Sequence, residues 1–326
     1  MAISAAAGRN HLGTFERTVP PEIEAIAARL VNLQQASENP VLGFSEVEIP
    51  SVIDVRDLVE DLREAIFPGL AGGERLQRTD AVRSLSSRLH HLHVRLSRVI
   101  SVAKKLRKAA LSNSSSERFE SATRDSLDFL ARLPSVRVAL MDDAWAALEG
   151  DPAAASLEEI VLSYPGHFAI SVYRLAHELW NLNVPYLPRM MAELAHRTTG
   201  IDIHPAASIG ARFFIDHGTG VVIGETTKIG DRVRLYQGVT LGAHSPRRQG
   251  EPELKRADKR HPTLEDDVIV YAGATILGGS TIVGKGAIIG GSSWVVESVP
   301  PGAEVTVDVE IKVSSSRARP SSGPQM

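Results

Sequence analysis

DIHPAASIGARFFIDHGTGVVIGETTKIGDRVRLYQGVTLGA (202–243) returns an aliphatic residue at every sixth position for most of its length: Ile203, Ile209 and Ile215, then Ile223, Ile229, Leu235 and Leu241. The same phase resumes at Leu264 and runs through Val270, Ile276, Ile282, Ile288 and Trp294. Four residues after most of these stands a second column of small or β-branched residues: Thr227, Val233, Val239, Val268, Ala274, Ser280, Gly286 and Ser292. A helix would repeat at three and four and a flat strand at two, so neither accounts for a period of six. The pattern predicts a parallel β-helix of hexapeptides, each supplying one short strand and one corner, with three to a triangular coil. Coils stacked at about 4.8 Å bury the aliphatic column inside the prism.

The phase breaks twice. Eight residues separate Ile215 from Ile223, which sets Asp216, His217, Gly218, Thr219 and Gly220 at a local bulge. Twenty-three separate Leu241 from Leu264, so residues 242–263 leave the coil as a long loop and return in register. A loop of that length inside a regular fold is usually functional or disordered, and the chemistry is expected at these two breaks.

Upstream, the chain reads as helical. Residues 1–15 have the composition of a flexible tail. Pro21 suits a first helical turn, with Ile23, Ile26, Leu30 and Leu33 on one face. A second helix is expected from Asp54 to Ile66, stopped by Pro68-Gly69. A third, capped by Asp80, runs toward Leu111 on Val82, Leu85, Leu89, Leu92, Leu96 and Ile100, until SNSSS (112–116) breaks it. His90, His91 and His93 on that helix read as a solvated or subunit-contact face more than as a metal site. Residues 117–148 give a further helix or pair interrupted near Pro134, and 156–180 and 187–198 read as two more. Gly200 hands over to the first strand. The expected architecture is α+β: a helical domain over 16–199, a β-helix over 200–312, and a disordered tail over 313–326. The helices serve as a cap, because the terminal coils of such a prism have open edges.

Composition excludes several classes. The 326 residues carry a formal net charge of −3, are 43% hydrophobic and 23% charged, and include no cysteine. Disulfides, thiolate metal sites and an acyl-cysteine intermediate are thereby ruled out. No apolar run is long enough for a membrane span and no signal-peptide pattern opens the chain, so a cytoplasmic protein with no membrane partner is expected. Near-neutral charge without interleaved basic and aromatic residues argues against nucleic acid as the main ligand.

Asp202, Asp216 and His217 carry the first chemical hypothesis. An imidazole with a carboxylate on one nitrogen is a competent general base toward an alcohol, because the carboxylate favours the imidazolium that forms. The alternative is that Asp216 and His217 only complete a glycine-rich turn. A rival uses His204, His217, His244 and His261 as ligands of a zinc-type ion, although their spacing contains no local ligand pair. The loop segment SPRRQGEPELKRADKRHP (245–262) sets Arg247, Arg248, Lys255, Arg256, Lys259 and Arg260 against Glu251, Glu253 and Asp258. That charge suits an anionic ligand with phosphates, or an ordinary solvated loop. Arg260, placed where the chain re-enters the coil, can grip a carboxylate in bidentate fashion or form a surface ion pair.

DIHPAASIG (202–210), IDHGTGVVIGET (215–226), GVTLGA (238–243) and RHPTLEDDVIVYAGATILGG (260–279) together resemble the serine O-acetyltransferase family. Asp151-Pro152 followed by YPGHFAISVYRLAHELW (164–180) looks like that family's helical approach to the β-helix. The resemblance covers roughly 150–302. It implies a left-handed parallel β-helix, an exception to the usual right-handed crossover. It also implies a homotrimer with sites between adjacent prisms, or a dimer of trimers. The reaction implied is acetyl transfer from acetyl-CoA to L-serine without a metal. His217 would deprotonate the serine hydroxyl and Asp202 would orient His217. Asp151 and Asp216 would bind the ammonium and nearby groups, and Arg260 and His261 the carboxylate. Acetyl-CoA would lie near Gly242, Ala243, Ala272 and Gly273, under the 242–263 loop. L-cysteine is a candidate feedback inhibitor at the serine site.

The chain departs from the family in three places. Tyr271 stands where many members have Gly. The amino-terminal 140 residues are longer than in compact members. The Pro-Gln-Met ending lacks the terminal Ile used to dock into O-acetylserine sulfhydrylase, so that complex is not expected. The rivals are a hexapeptide acetyltransferase for another small alcohol, a non-catalytic β-helix scaffold, and a metal-dependent β-helix hydratase.

Overall fold

The computed structural model describes residues 20–35, 48–69, 80–107, 115–244 and 258–307. The expected tails at 1–15 and 313–326, and Arg247, Arg248, Lys255 and Arg256, lie outside the described residues. The chain divides into two compact units, residues 1–49 and 50–326. The first contributes α1 (Pro21–Gln35), with proline in its first turn and Ile23, Ile26 and Leu30 exposed.

The second unit opens with α2 (Val52–Ile66), α3 (Ala81–Arg107), α4 (Ser115–Leu130), α5 (Leu133–Gly150), α6 (Leu157–Ser163), α7 (Pro165–Asn181) and α8 (Leu187–Thr199). Two boundaries differ from the sequence reading. Ser51, not Asp54, begins α2: its hydroxyl accepts from the amides of Ile53 and Asp54, satisfying donors that a helix start leaves free. The single helix expected over 156–180 is two. Pro165 lacks an amide and disfavours helical backbone in the residue before it, so α6 stops at Ser163 and Pro165 opens α7. The pair expected over 117–148 is α4 and α5, with the break near Pro134, which sits in the first turn of α5. Leu92, Leu96 and Ile100 of α3 and Phe129 of α4 are buried in the helical core. Among the described residues, no helix is long and apolar enough to cross a membrane.

Five coils follow. The first holds β1 (Asp202–Ile203), β2 (Ser208–Ile209) and β3 (Phe214–Ile215). The second holds β4 (Val222–Ile223), β5 (Lys228–Ile229) and β6 (Arg234–Leu235). The third holds β7 (Thr240–Gly242), β8 (Thr263–Leu264) and β9 (Ile269–Val270), and the fourth β10 (Thr275–Leu277), β11 (Ile282–Val283) and β12 (Ile288–Ile289). The last holds β13 (Trp294–Val295) and β14 (Glu304–Val305). All pairings are parallel and build three faces. The first face is β1-β4-β7-β10-β13, the second β2-β5-β8-β11, and the third β3-β6-β9-β12-β14. This is the expected class, helices followed by a left-handed parallel β-helix.

The predicted hexad phase holds through Ile276 and then slips by one. Ile282 and Trp294, expected inside, are 44% and 70% exposed, while Val283, Ile289 and Val295 are buried. Thr281, Ala287 and Ser293 likewise replace Ser280, Gly286 and Ser292 in the second column. Seven residues, not six, separate Ile276 from Val283. The extra one is absorbed at Gly278, whose φ of 102° only glycine adopts without strain, and the Thr281 hydroxyl closes that turn on the Leu277 carbonyl at 2.6 Å.

α7 seals the open first coil. Tyr173 donates its hydroxyl to the Ala207 carbonyl at 2.6 Å, Arg174 donates to Gly210 at 2.8 Å, and His177 donates through Nδ1 to Pro205 at 2.8 Å. Arg174 also pairs with the Asp143 carboxylate of α5 at 2.5 Å, and Asp143 in turn accepts the Phe213 amide at 2.9 Å. These bonds fix α5 and α7 against β3, next to the first break in the hexads.

Candidate active site

The corner between the third and first faces, residues 216–221, is built on left-handed backbone. His217 has φ 55°, Gly218 88° and Gly220 82°. A β-carbon at Gly218 would collide with Ile201, so this glycine is required for close approach as well as for conformation. Histidine tolerates this region at a cost, as Arg212, Arg232, Asp267 and Ser292 do at other corners of the prism. The turn lifts the His217 side chain to 77% exposure, with Nε2 3.9 Å from the largely buried Asp216 carboxylate.

Asp151, at the end of α5, faces the same corner. Its carboxylate accepts the Ala153 amide at 2.8 Å and the Tyr164 hydroxyl at 2.7 Å. The Tyr164 hydrogen bond, followed by the Ala153 amide, holds the Asp151 pKa below the usual carboxylate value, and the charges of His217 and Arg234 act in the same direction. The same bond pushes the Tyr164 phenol up to about 12, with Asp216 among the charges that contribute. Arg234 donates to the Gly150 carbonyl at 3.0 Å and lies over the Phe214 ring at 5.5 Å. Three carboxyl and imidazole groups, Asp151, Asp216 and His217, thus gather at one solvent-open corner.

Arg260 and His261 are elsewhere, at the corner between the first and second faces. The Thr226 hydroxyl accepts both their amides, at 2.9 and 3.0 Å. The Thr226 amide donates to His261 Nδ1 at 3.1 Å, which leaves the imidazole proton on Nε2. The ring packs on Gly224, where a β-carbon would collide with it. Arg260 pairs with Glu225. Burial first, then the charges of Arg260 and Lys259, lowers the His261 pKa to about 4. His204, at the same corner two coils below with its ring edge on Trp180 at 5.3 Å, is lowered to about 4, mainly by burial. Lys259 donates to the Pro262 carbonyl at 2.9 Å and is lowered to about 8 by burial.

The expected site residues therefore fall into separate groups. Asp202, on β1, stands beside Glu193 and His196, and among the described residues the ion pair of His217 is with Asp216 instead. The Gly220 amide donates to the Gly200 carbonyl at 2.8 Å, which holds the His217 corner close to the start of β1. Gly242 and Ala243 end β7 on the Arg260 side, whereas Ala272 and Gly273 sit on the His217 side, where the Gly273 amide donates to Gln237 at 2.9 Å. Tyr271 there stacks on Tyr236 with ring centroids 5.1 Å apart. Tyr164, Thr226, Glu225 and Arg234 escaped the sequence reading. All four lie inside quoted segments, and Tyr164 carried the further signal of standing next to the helix-starting Pro165. The rival ligand set His204, His217, His244 and His261 does not converge, because His204 and His261 occupy one corner and His217 another.

A three-faced hexapeptide prism with a histidine–carboxylate corner suits general-base acyl transfer, and the comparisons give the family. "Serine acetyltransferase, plasmid" of Synechococcus elongatus is 52% identical over 178 residues, 55% of this chain and 56% of the relative. The serine acetyltransferase of Mycobacterium tuberculosis is 46% identical over 167 residues, 51% of this chain and 69% of the relative. These matches span between just over half and just over two thirds of each relative's length. Serine acetyltransferase 1 of Entamoeba histolytica, solved in complex with L-cysteine, superposes with a TM-score of 0.66 at 34% identity, covering 87% of this chain and 98% of that one. Isoform 3 from the same organism, solved in complex with cysteine, gives 0.67 at 30% identity, covering 91% and 93%. No family model matches the chain. The chain belongs to the serine acetyltransferase family.

Proposed function

We propose that the protein transfers acetyl from acetyl-CoA to the hydroxyl of L-serine, giving O-acetyl-L-serine and CoA on the route to cysteine. The observation that carries this is the exposed His217 beside Asp216 and Asp151 in a chain of this family. His217 takes the hydroxyl proton as the serine oxygen attacks the thioester carbonyl. Collapse of the tetrahedral intermediate expels the CoA thiolate, which takes that proton from the imidazolium. Asp216 and Asp151 suit the ammonium, and Arg260 with His261 suits the carboxylate. Asp202 takes the orienting role when its side chain turns from His196 toward His217. Acetyl-CoA lies along the first face, between Gly242-Ala243 and Ala272-Gly273.

Because the His217 and Arg260 corners are opposite edges of one face, a serine site that uses both is completed by a second chain. A homotrimer with sites between neighbouring prisms follows, alone or doubled into a dimer of trimers. L-cysteine, with the same ammonium and carboxylate, competes for that site. The test is CoA release from acetyl-CoA with L-serine, beside homoserine, a simple sugar and a chelator-treated sample. Serine-dependent release that survives the chelator is expected. Equal release with every acceptor, or none with any, overturns the reading.

A further inference from the structure

We propose that Glu193, His196 and Asp202 form a zinc-type divalent cation site at the junction of α8 and β1, and that a bound ion holds Asp202 away from His217. One ligand atom from each residue lies within 4.8 Å of the other two, and all three side chains are half-buried. Glu193 and His196 are three apart near the end of α8, so they project from one face of the helix. The Glu-x-x-His spacing is one that carboxylate-rich metal sites in helical bundles use. Arg189 holds Glu193 Oε1 at 2.6 Å, which leaves Oε2 turned to His196 Nδ1 at 3.4 Å.

Gly200, left-handed at φ 73°, ends the helix and turns the chain so that Asp202 arrives over its last turn. A helix C-terminus favours a cation. Among the described residues, the Asp202 carboxylate makes no hydrogen bond or ion pair within 4.0 Å, although it is partly removed from solvent. One imidazole and two carboxylates match zinc, with cobalt and manganese as neighbours in preference. Three protein ligands leave an open position, and small rotamer changes bring the donors to bonds of about 2.0–2.2 Å. An ion there competes with His217 for the same carboxylate. The site itself stands on this geometry alone, whereas its effect on turnover rests on the proposed acetyl transfer.

Metal-stripped full-length protein titrated with zinc against a chromophoric chelator is expected to bind one ion per chain. His196→Ala and Glu193→Gln each weaken binding by at least roughly 10–100-fold, the loss typical of even an outer-shell partner, while His91→Ala on α3 leaves it unchanged. Cobalt gives a visible spectrum that His196→Ala abolishes. No saturable binding, or binding unaltered in His196→Ala, overturns the site and reduces the cluster to an ordinary ion-pair group. In the CoA-release assay zinc lowers kcat of the wild type but not of His196→Ala. Zinc bound without loss of kcat overturns the competition for Asp202. Absence of CoA release in the metal-free protein breaks the acetyl-transfer reading instead, and the titration still decides the site.

Discussion

The two corners of the first face are built on opposite principles. At one, His217 stands on left-handed backbone, 77% exposed, with Asp216 3.9 Å away. At the other, His261 is 8% exposed, its tautomer is set by the Thr226 amide, and its neighbour Arg260 is hydrogen-bonded to the same threonine. A group that must give and take protons needs solvent and freedom to change charge. A group that only positions a carboxylate gains from being locked in advance.

The largest expected effect tests the exposed corner. His217→Ala lowers kcat by about 10²–10⁴, the usual loss of a general base, with the far-UV spectrum and oligomer unchanged. Near-normal turnover would remove the assignment. Next comes the division of the site between chains. Equal amounts of inactive His217→Ala and inactive Arg260→Ala, unfolded together and reassembled, recover about a quarter of wild-type activity if each site draws one corner from each of two chains. No recovery would place both corners in one subunit's site.

Smaller effects probe the locked corner. Arg260→Lys keeps the charge and loses the planar fork, so the serine KM rises while that for acetyl-CoA holds. A change confined to acetyl-CoA would reassign Arg260. Gly224→Ala drives a methyl group into the His261 ring, and chemical denaturation is expected to register a loss of about 1–3 kcal/mol. An unchanged midpoint would show that the ring moves aside freely.

Protonation gives the last and most gradual effect. His261, His204 and the buried His167 all have folded pKa values near 4, below the unfolded 6.5. Between those values the unfolded chain binds more protons than the folded one, so stability rises with pH across that window. It is level above about pH 7 and declines toward pH 4. His261→Asn reduces the slope, and an unaltered slope would mean that this ring titrates normally.

Much of the fold was written in the hexads because a period of six has no helical or flat-strand competitor. The slip at Gly278 was hidden for a physical reason. Ile282-Val283, Ile288-Ile289 and Trp294-Val295 are apolar at both positions, so either phase satisfies the pattern, and only burial distinguishes them. Asp216 and His217 were legible as an interruption of the repeat, which a uniform prism does not need. Thr226 was not, because a threonine at a corner is ordinary until two amides from residues thirty-four and thirty-five positions later arrive on its hydroxyl. The grouping of Asp202 with Glu193 and His196, and of His217 with Asp216, was equally hidden, since spacing along the chain does not give side-chain direction.

The Thr226 clamp has a consequence for how a local change spreads through this corner. Arg260 and His261 are both tied to the coil beneath them by Thr226, and Arg260 also by Glu225. A change at Thr226, thirty-four residues earlier in the chain, therefore reaches both side chains at once.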